Sequence, residues 1–223
     1  MKTIKGIMIV SALIVISVSC ATTPPLTSKE VPDVVAESPP AIVIDSRFVF
    51  QETNLVTGKI TSTFTWVVKE KKEYDRKPAY WVDTTGGKGE NFNVYDLNLN
   101  WMAYIKKGVE QTSASPCLKE FDWPLKVGKS WSTFYDYFDR SRGSSFRGAS
   151  EPVKVESYEE VKVPAGTFQT FKIVREARVF KVTNWYSPSI GISIKRQIER
   201  TADNILGYGR FLIELMEYSI PSK

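Results

Sequence analysis

From Ala41 to the C-terminus, large apolar residues recur at every second position, and this period constrains the fold more than any other feature of the chain. Phe48 and Phe50 alternate. Ile60, Ser62, Phe64, Trp66 and Val68 read as one face of a long strand, and Tyr95, Leu97, Leu99 and Trp101 repeat the pattern. Trp131, Thr133, Tyr135 and Tyr137 follow, then Ile190, Ile192, Ile194 and Ile198, then Phe211, Ile213 and Leu215. Side chains of a strand point alternately to its two faces, so the pattern is that of antiparallel strands with one face in a core. Turn signals separate the runs: Thr57-Gly58, Gly86-Gly87-Lys88-Gly89, Lys107-Gly108, Arg142-Gly143-Ser144, Pro164-Ala165-Gly166, Ser187-Pro188 and Gly207-Tyr208-Gly209. The fold class is all-β, a single antiparallel meander of about nine to eleven strands. A short helix or turn is expected near Ser115 to Phe121. Because strand twist accumulates, such a meander curls into a barrel, a half-barrel or a strongly twisted sheet.

The chain has 223 residues, 42% of them hydrophobic, which suits one core that needs no disulfide or metal. Histidine is absent. That removes Ser-His-Asp and Cys-His catalysis, the imidazole base, and nearly every zinc, copper or haem site. No cofactor or metal is expected. The two cysteines are Cys20 and Cys117; with Cys20 acylated, Cys117 has no partner and reads as a buried, inert thiol.

The N-terminus reads as a leader. Lys2 and Lys5 precede an apolar run from Ile7 to Val18, too short for a permanent membrane helix. Small residues then lead to Cys20 in Ser17-Val18-Ser19-Cys20-Ala21. This resembles the lipobox of bacterial lipoproteins, in which the cysteine becomes the first mature residue and carries acyl chains; Ser17 stands where that box usually has Leu. Loss of Lys2 and Lys5 lowers the formal charge from +5 to +3. With no basic stripe, nucleic acid is not an expected partner. The expected organisation is a signal peptide over 1–20, a disordered Pro/Thr/Ser tether over 21–41 and an all-β domain over 42–223. Ala21 in place of Asp implies, by the sorting pattern of enteric bacteria, a lipid anchor in the outer membrane with the domain facing the periplasm.

Two segments carry a further resemblance. Pro124-Leu125-Lys126-Val127-Gly128-Lys129-Ser130-Trp131 is followed by Val161-Lys162-Val163-Pro164-Ala165-Gly166-Thr167-Phe168 and Trp185-Tyr186-Ser187-Pro188-Ser189-Ile190-Gly191. This order is similar to that in a broad set of bacterial secreted proteins and lipoproteins over about residues 120 to 198. In shape, that set distantly resembles the half-barrel family of the periplasmic lipoprotein carrier and its outer-membrane receptor. The resemblance implies a fold and no catalytic residues. Read on their own, the motifs are structural: Pro164-Ala165-Gly166 suits a tight turn, with Val161, Val163 and Phe168 on one side of a hairpin.

Several constellations bear on function. Gly86-Gly87-Lys88-Gly89 leads into a strand rather than a helix and reads as a hairpin turn, not a phosphate loop. Arg140, Arg142, Phe146 and Arg147 form an Arg-aromatic hairpin tip that could contact a partner protein or anionic groups. The carboxylate pairs Asp136/Asp139, Glu159/Glu160 and Asp83/Glu90 have no spacing that marks a glycosidase. Phe64, Trp66, Trp81, Trp101 and Trp131 are the candidates to line an apolar ligand pocket. The expected function is a membrane-tethered, non-catalytic binding module for a lipid, acyl chain or apolar peptide. An assembly lipoprotein docking with envelope machinery is the alternative, and a carboxylate-based hydrolase the third reading.

Overall fold

A computed structural model describes residues 34–222; the leader, Cys20 and most of the expected tether lie outside them. The strands are β1 (Val35–Ala36), β2 (Arg47–Asn54), β3 (Lys59–Tyr74), β4 (Lys77–Asp83), β5 (Asn91–Asp96), β6 (Trp101–Lys106), β7 (Val109–Leu118), β8 (Leu125–Lys126), β9 (Ser130–Asp139), β10 (Ser144–Val163), β11 (Gly166–Ala177), β12 (Phe180–Ser187), β13 (Ile192–Arg200) and β14 (Gly209–Ser219). Twelve of them form a closed antiparallel barrel, and β1 pairs with β8 as a separate two-stranded ribbon. The all-β meander expected from the alternation is therefore present, and of the three expected shapes it takes the closed one.

Closure is made by the first and last barrel strands. β2 and β14 pair from Arg47 opposite Ser219 to Asn54 opposite Phe211. An ion pair between Arg47 and Glu217 at 2.7 Å spans the seam. Consecutive strands pair around the rest of the ring, with β7 joined directly to β9. Strictly alternating hairpins give the barrel two ends. Residues 34–46, the turns after β3, β5, β10 and β12, the β7–β9 connection and the C-terminus lie at the near end. The turns after β2, β4, β6, β9, β11 and β13 lie at the far end.

The interior is filled by two joined clusters. Phe48, Phe50, Val68, Tyr80, Val82, Val163, Phe168, Ile194 and Leu215 form one. Phe121, Leu125, Val153, Val155, Phe171, Ile173 and Tyr186 form the other, and Leu99 packs against both. Each fully buried large side chain stabilises by roughly 1.5–3 kcal/mol over leaving it in water. Phe121 and Leu125 come from the β7–β9 connection. Where a helix or turn is expected near Ser115 to Phe121, the chain is instead extended to Leu118 and then irregular. The structure reaches its only described helical turn elsewhere, at Arg140–Arg142.

Bulges re-aim several faces. One at Glu156 breaks the β10–β11 register between Val155 and Ser157. Val153, Val155, Phe171 and Ile173 thus serve the second cluster, while Val163 and Phe168, on the opposite ribbon face, serve the first. Ala165 N–H donates to Leu215 O at 3.1 Å and fixes the hairpin tip. A second bulge at Thr61 corrects the sequence reading of β3: Phe64, Trp66 and Val68 keep the inner face, but Ile60 is turned outward and is 61% exposed. Leu97 and Leu99 also leave the strand pattern, since they occupy the β5–β6 turn.

Residues 34–41, assigned to the tether by composition, are docked on the domain. Val35 and Ala36 pair with Lys126 and Leu125. Pro40 and Ile42 pack over Gly191, which has φ +75°. A Cβ at Gly191 would stand 2.9 Å from both Pro40 Cγ and Ile42 Cδ1. We expect Gly191→Ala to cost about 1–3 kcal/mol in urea unfolding, through the strained φ and displacement of this segment. Phe171→Ala, which empties a core position, is expected to cost about 3–5 kcal/mol in the same measurement.

Candidate functional site

A cavity of about 120 Å³ lies inside the barrel between the two clusters. Its walls are mostly apolar. Phe48 and Phe50 of β2, Phe64, Trp66 and Val68 of β3, and Tyr80 and Val82 of β4 form one side. These rings stack or tilt against one another: Phe50 stacks on Phe64 at 5.5 Å and lies tilted 5.0 Å from Trp66, and Trp66 lies tilted 6.4 Å from Tyr95. Ile42, Leu99 and Phe121 come from near-end segments, and Ile192 and Ile213 from β13 and β14.

A polar group converges on one side. Arg196 of β13 donates from its guanidinium to Glu120, so the two fixed charges cancel. Asn184 stands opposite Arg196 on β12, and Tyr186 lies two residues on, on the same face. Both are buried, and neither Asn184 Oδ1 nor Tyr186 Oη has a hydrogen-bond partner among the described residues. Burial pushes the Tyr186 phenol well above its ordinary value. Burial does the same to Tyr95, with Glu120 adding to the rise and Arg196 opposing it. Both phenols stay protonated at any physiological pH. The site thus offers an apolar wall, two phenols and a neutralised ion pair, a composition that suits an apolar ligand with a few polar contacts.

The structure brings together only part of the expected aromatic set. Phe64 and Trp66 line the cavity. Trp81 lies on the opposite face of β4 from Tyr80 and Val82. There it packs on a smaller cluster of Ala79, Val94, Met102, Ala103 and Ile105, with Lys72 Nζ 4.0 Å from its ring centroid. Trp101 stacks on Tyr137 at 6.5 Å, and its Nε1–H donates to Asn93 Oδ1 at 3.2 Å. Trp131 packs against the second interior cluster, donates to Lys119 O at 3.0 Å and edges a separate open groove with Lys154 and Glu156. Sequence reading missed Tyr80, Tyr95, Asn184, Tyr186, Glu120 and Arg196. Asn184 carried a signal, as a polar residue between Val182 and Tyr186 on an apolar stripe.

The remaining candidates are elsewhere. Arg140, Arg142, Phe146 and Arg147 are exposed at the far end. Arg140 Nε donates to Glu110 O at 3.1 Å, Arg142 pairs with Asp139 at 3.0 Å, and Phe146 stacks on Tyr137 at 5.0 Å. Asp139 caps the helical turn, accepting from Ser141 and from Arg142 N–H. A buried trio of Tyr135, Glu151 and Arg175 crosses β9, β10 and β11: Tyr135 Oη–H donates to Glu151 at 2.9 Å, and Arg175 pairs with the same carboxylate. Cys117 is half-buried, and burial, reinforced by Asp96, pushes its thiol up to about 11, so the unreactive thiol form prevails.

Asp83 of the pair Asp83/Glu90 is fully buried and holds the far-end loop Thr84–Glu90. It accepts from Thr85 Oγ1–H at 2.6 Å and from Thr85 and Gly89 N–H. Burial alone would raise this carboxyl, but these donors together outweigh it and hold it below the ordinary value. No family model and no curated protein matches the sequence. Among solved structures, the chain is similar to a protein of Bacteroides fragilis assigned as exported with a YmcC-like fold, at 12% identity and TM-score 0.41, covering 83% of this chain and 100% of that one. It is similar also to a protein of Parabacteroides distasonis assigned as a lipoprotein, at 13% identity and TM-score 0.34, covering 82% and 99%.

A carboxyl whose folded pKa is depressed stabilises above its unfolded pKa and loses that contribution as pH falls through the folded one. The urea midpoint should therefore fall below about pH 4, in part through Asp83. Asp83→Asn should lower stability at pH 7 by about 2 kcal/mol and flatten the acid limb of the titration.

Proposed function

We propose that this protein is an exported, lipid-anchored binding module that holds an apolar group in the barrel cavity and performs no chemistry on it. The observation that carries this reading is the aromatic-walled cavity inside a closed barrel. The leader and Cys20 supply the export and anchoring half of the proposal, with the outer membrane, facing the periplasm, as the expected location. Several acyl chains at Cys20 would hold the chain on a bilayer almost permanently.

The cavity limits the ligand. A cavity of about 150 Å³ lined by aliphatic and aromatic groups binds benzene and stays dry. At about 120 Å³, this one takes a single ring or a few methylenes without rearrangement. A longer acyl chain requires the Phe50–Phe64–Trp66 rings to move. The ligand reading is therefore the end of an acyl chain, or one apolar side chain of a peptide, rather than a whole lipid.

Titration of benzene and of short-chain alcohols into the protein spanning residues 34–223, followed by tryptophan fluorescence, tests this. Saturable binding is expected. Ile213→Trp, which fills the cavity, should weaken it at least about tenfold while costing about 1–3 kcal/mol of stability. Solvent extraction of freshly purified protein with mass spectrometry identifies a co-purifying ligand. Absence of saturable binding in the unsubstituted protein would sink the proposal.

A further inference from the structure

Exposed apolar side chains are unevenly divided between the two ends of the barrel. The near end and its adjoining strand ends show Val35, Ile44, Tyr218 and Ile220, each at 38–40% exposure. The far end shows much more. Ile205 in the β13–β14 turn is 82% exposed, with Leu206 and Tyr208 beside it. Val56 stands on the neighbouring β2–β3 turn and Ile60 at the start of β3, and Leu55 N–H donates to Arg210 O at 2.8 Å to hold the two turns together.

The exposure of Ile205 and Leu206 is built in. Asn204 pins the turn from three sides: its Oδ1 accepts from Leu206 N–H at 2.9 Å, its backbone O accepts from Gly207 N–H at 2.7 Å, and its Nδ2 donates to Val179 O at 3.3 Å. These bonds hold the two side chains away from the barrel wall, where they could otherwise cover themselves. The bulge at Thr61 likewise turns Ile60 outward.

Charge at this end favours one sign. Lys59, Lys88, Lys106, Lys107, Arg140, Arg142, Arg147, Arg178 and Arg210 are exposed there, against exposed Glu90, Asp136, Glu176 and Asp203. The near end mixes both signs: Asp45, Glu73 and Asp75 are exposed there beside Arg76, Lys77 and Lys126, and Asp122 is held by Lys119 at 2.5 Å and by Lys129 at 3.0 Å.

We propose that the far end docks on an anionic lipid bilayer. Ile205, Leu206 and Tyr208, with Val56 and Ile60, enter the boundary between head groups and acyl chains, and the surrounding cations pair with lipid phosphates. This combination of apolar tips, an interfacial tyrosine and basic side chains is the composition of a surface that lies on a membrane. The apolar groups stand on projecting turns rather than in a groove. A bilayer accepts such tips without shape complementarity, whereas a folded protein partner would need a matching cleft. The inference stands on the turns alone and does not depend on the cavity.

Hydrogen exchange of the full chain on vesicles tests it. On vesicles with 30 mol % phosphatidylglycerol, amides of residues 55–60 and 201–208 are expected to exchange at least about fivefold more slowly than on pure phosphatidylcholine, with residues 188–191 at the near end unchanged. Salt at about 0.5 M should reduce the difference, because it screens the cation–phosphate attraction. The variant Ile205→Ser/Leu206→Ser should lose it, without unfolding a turn held by Asn204. Equal exchange on both vesicle types overturns the proposal, as does protection that survives in the variant. Protection that follows protein density whatever the lipid also overturns it and assigns the surface to a second copy of the chain.

Discussion

The structure depends on the seam between β2 and β14. Every other strand pair joins neighbours close in sequence, but this one joins Arg47 to Ser219 across nearly the whole domain. Without it the sheet is an open ribbon with two long edges of unpaired backbone groups, each a template for aggregation. With it, every barrel strand has two partners and one face is enclosed. The seam also fixes register, because a slip of one residue would exchange Phe50 and Leu215 with their outward neighbours.

Closure at twelve strands creates the second problem that the chain solves. An eight-stranded barrel is filled by its own inward side chains, and wider barrels leave a lumen. Here the lumen is taken up by additional means. The β7–β9 connection sends Phe121 and Leu125 inward, and the twisted tip of the β10–β11 ribbon adds Val163 and Phe168 from its other face. The cavity is what these insertions leave. Its polar side has the same origin, since Glu120, which neutralises Arg196, is carried on the inserted connection.

The alternation of large residues was sufficient to read the fold class, most strands and the turns at Gly58, Gly89, Gly108 and Gly143, because period two and turn chemistry are local properties. What it could not supply is which face is inner once a bulge intervenes. Ile60 reads as a partner of Phe64 until an extra residue at Thr61 exchanges the faces, and Trp81 is as large as Trp66 yet belongs to the other side of its strand. The cavity was legible only in its β3 wall, through Phe64 and Trp66. Glu120 meets Asn184, Tyr186 and Arg196 across a gap in sequence, 76 residues for Arg196, that no local pattern encodes. Gly207-Tyr208-Gly209 marked the turn beside Ile205, but only the hydrogen bonds of Asn204 show that Ile205 and Leu206 are held in solvent.

The adjacency of Arg47 and Ser219 places the first and last residues of the barrel side by side at the near end. The pairing of the ring therefore does not depend on where the covalent chain is cut. A circular permutant that links the present termini and opens at the β6–β7 turn would keep the same ring and the same cavity. Its ends would leave the barrel beside Lys107, so coupling through them would present the Gly191 side outward where coupling through the present termini presents the Ile205 turn.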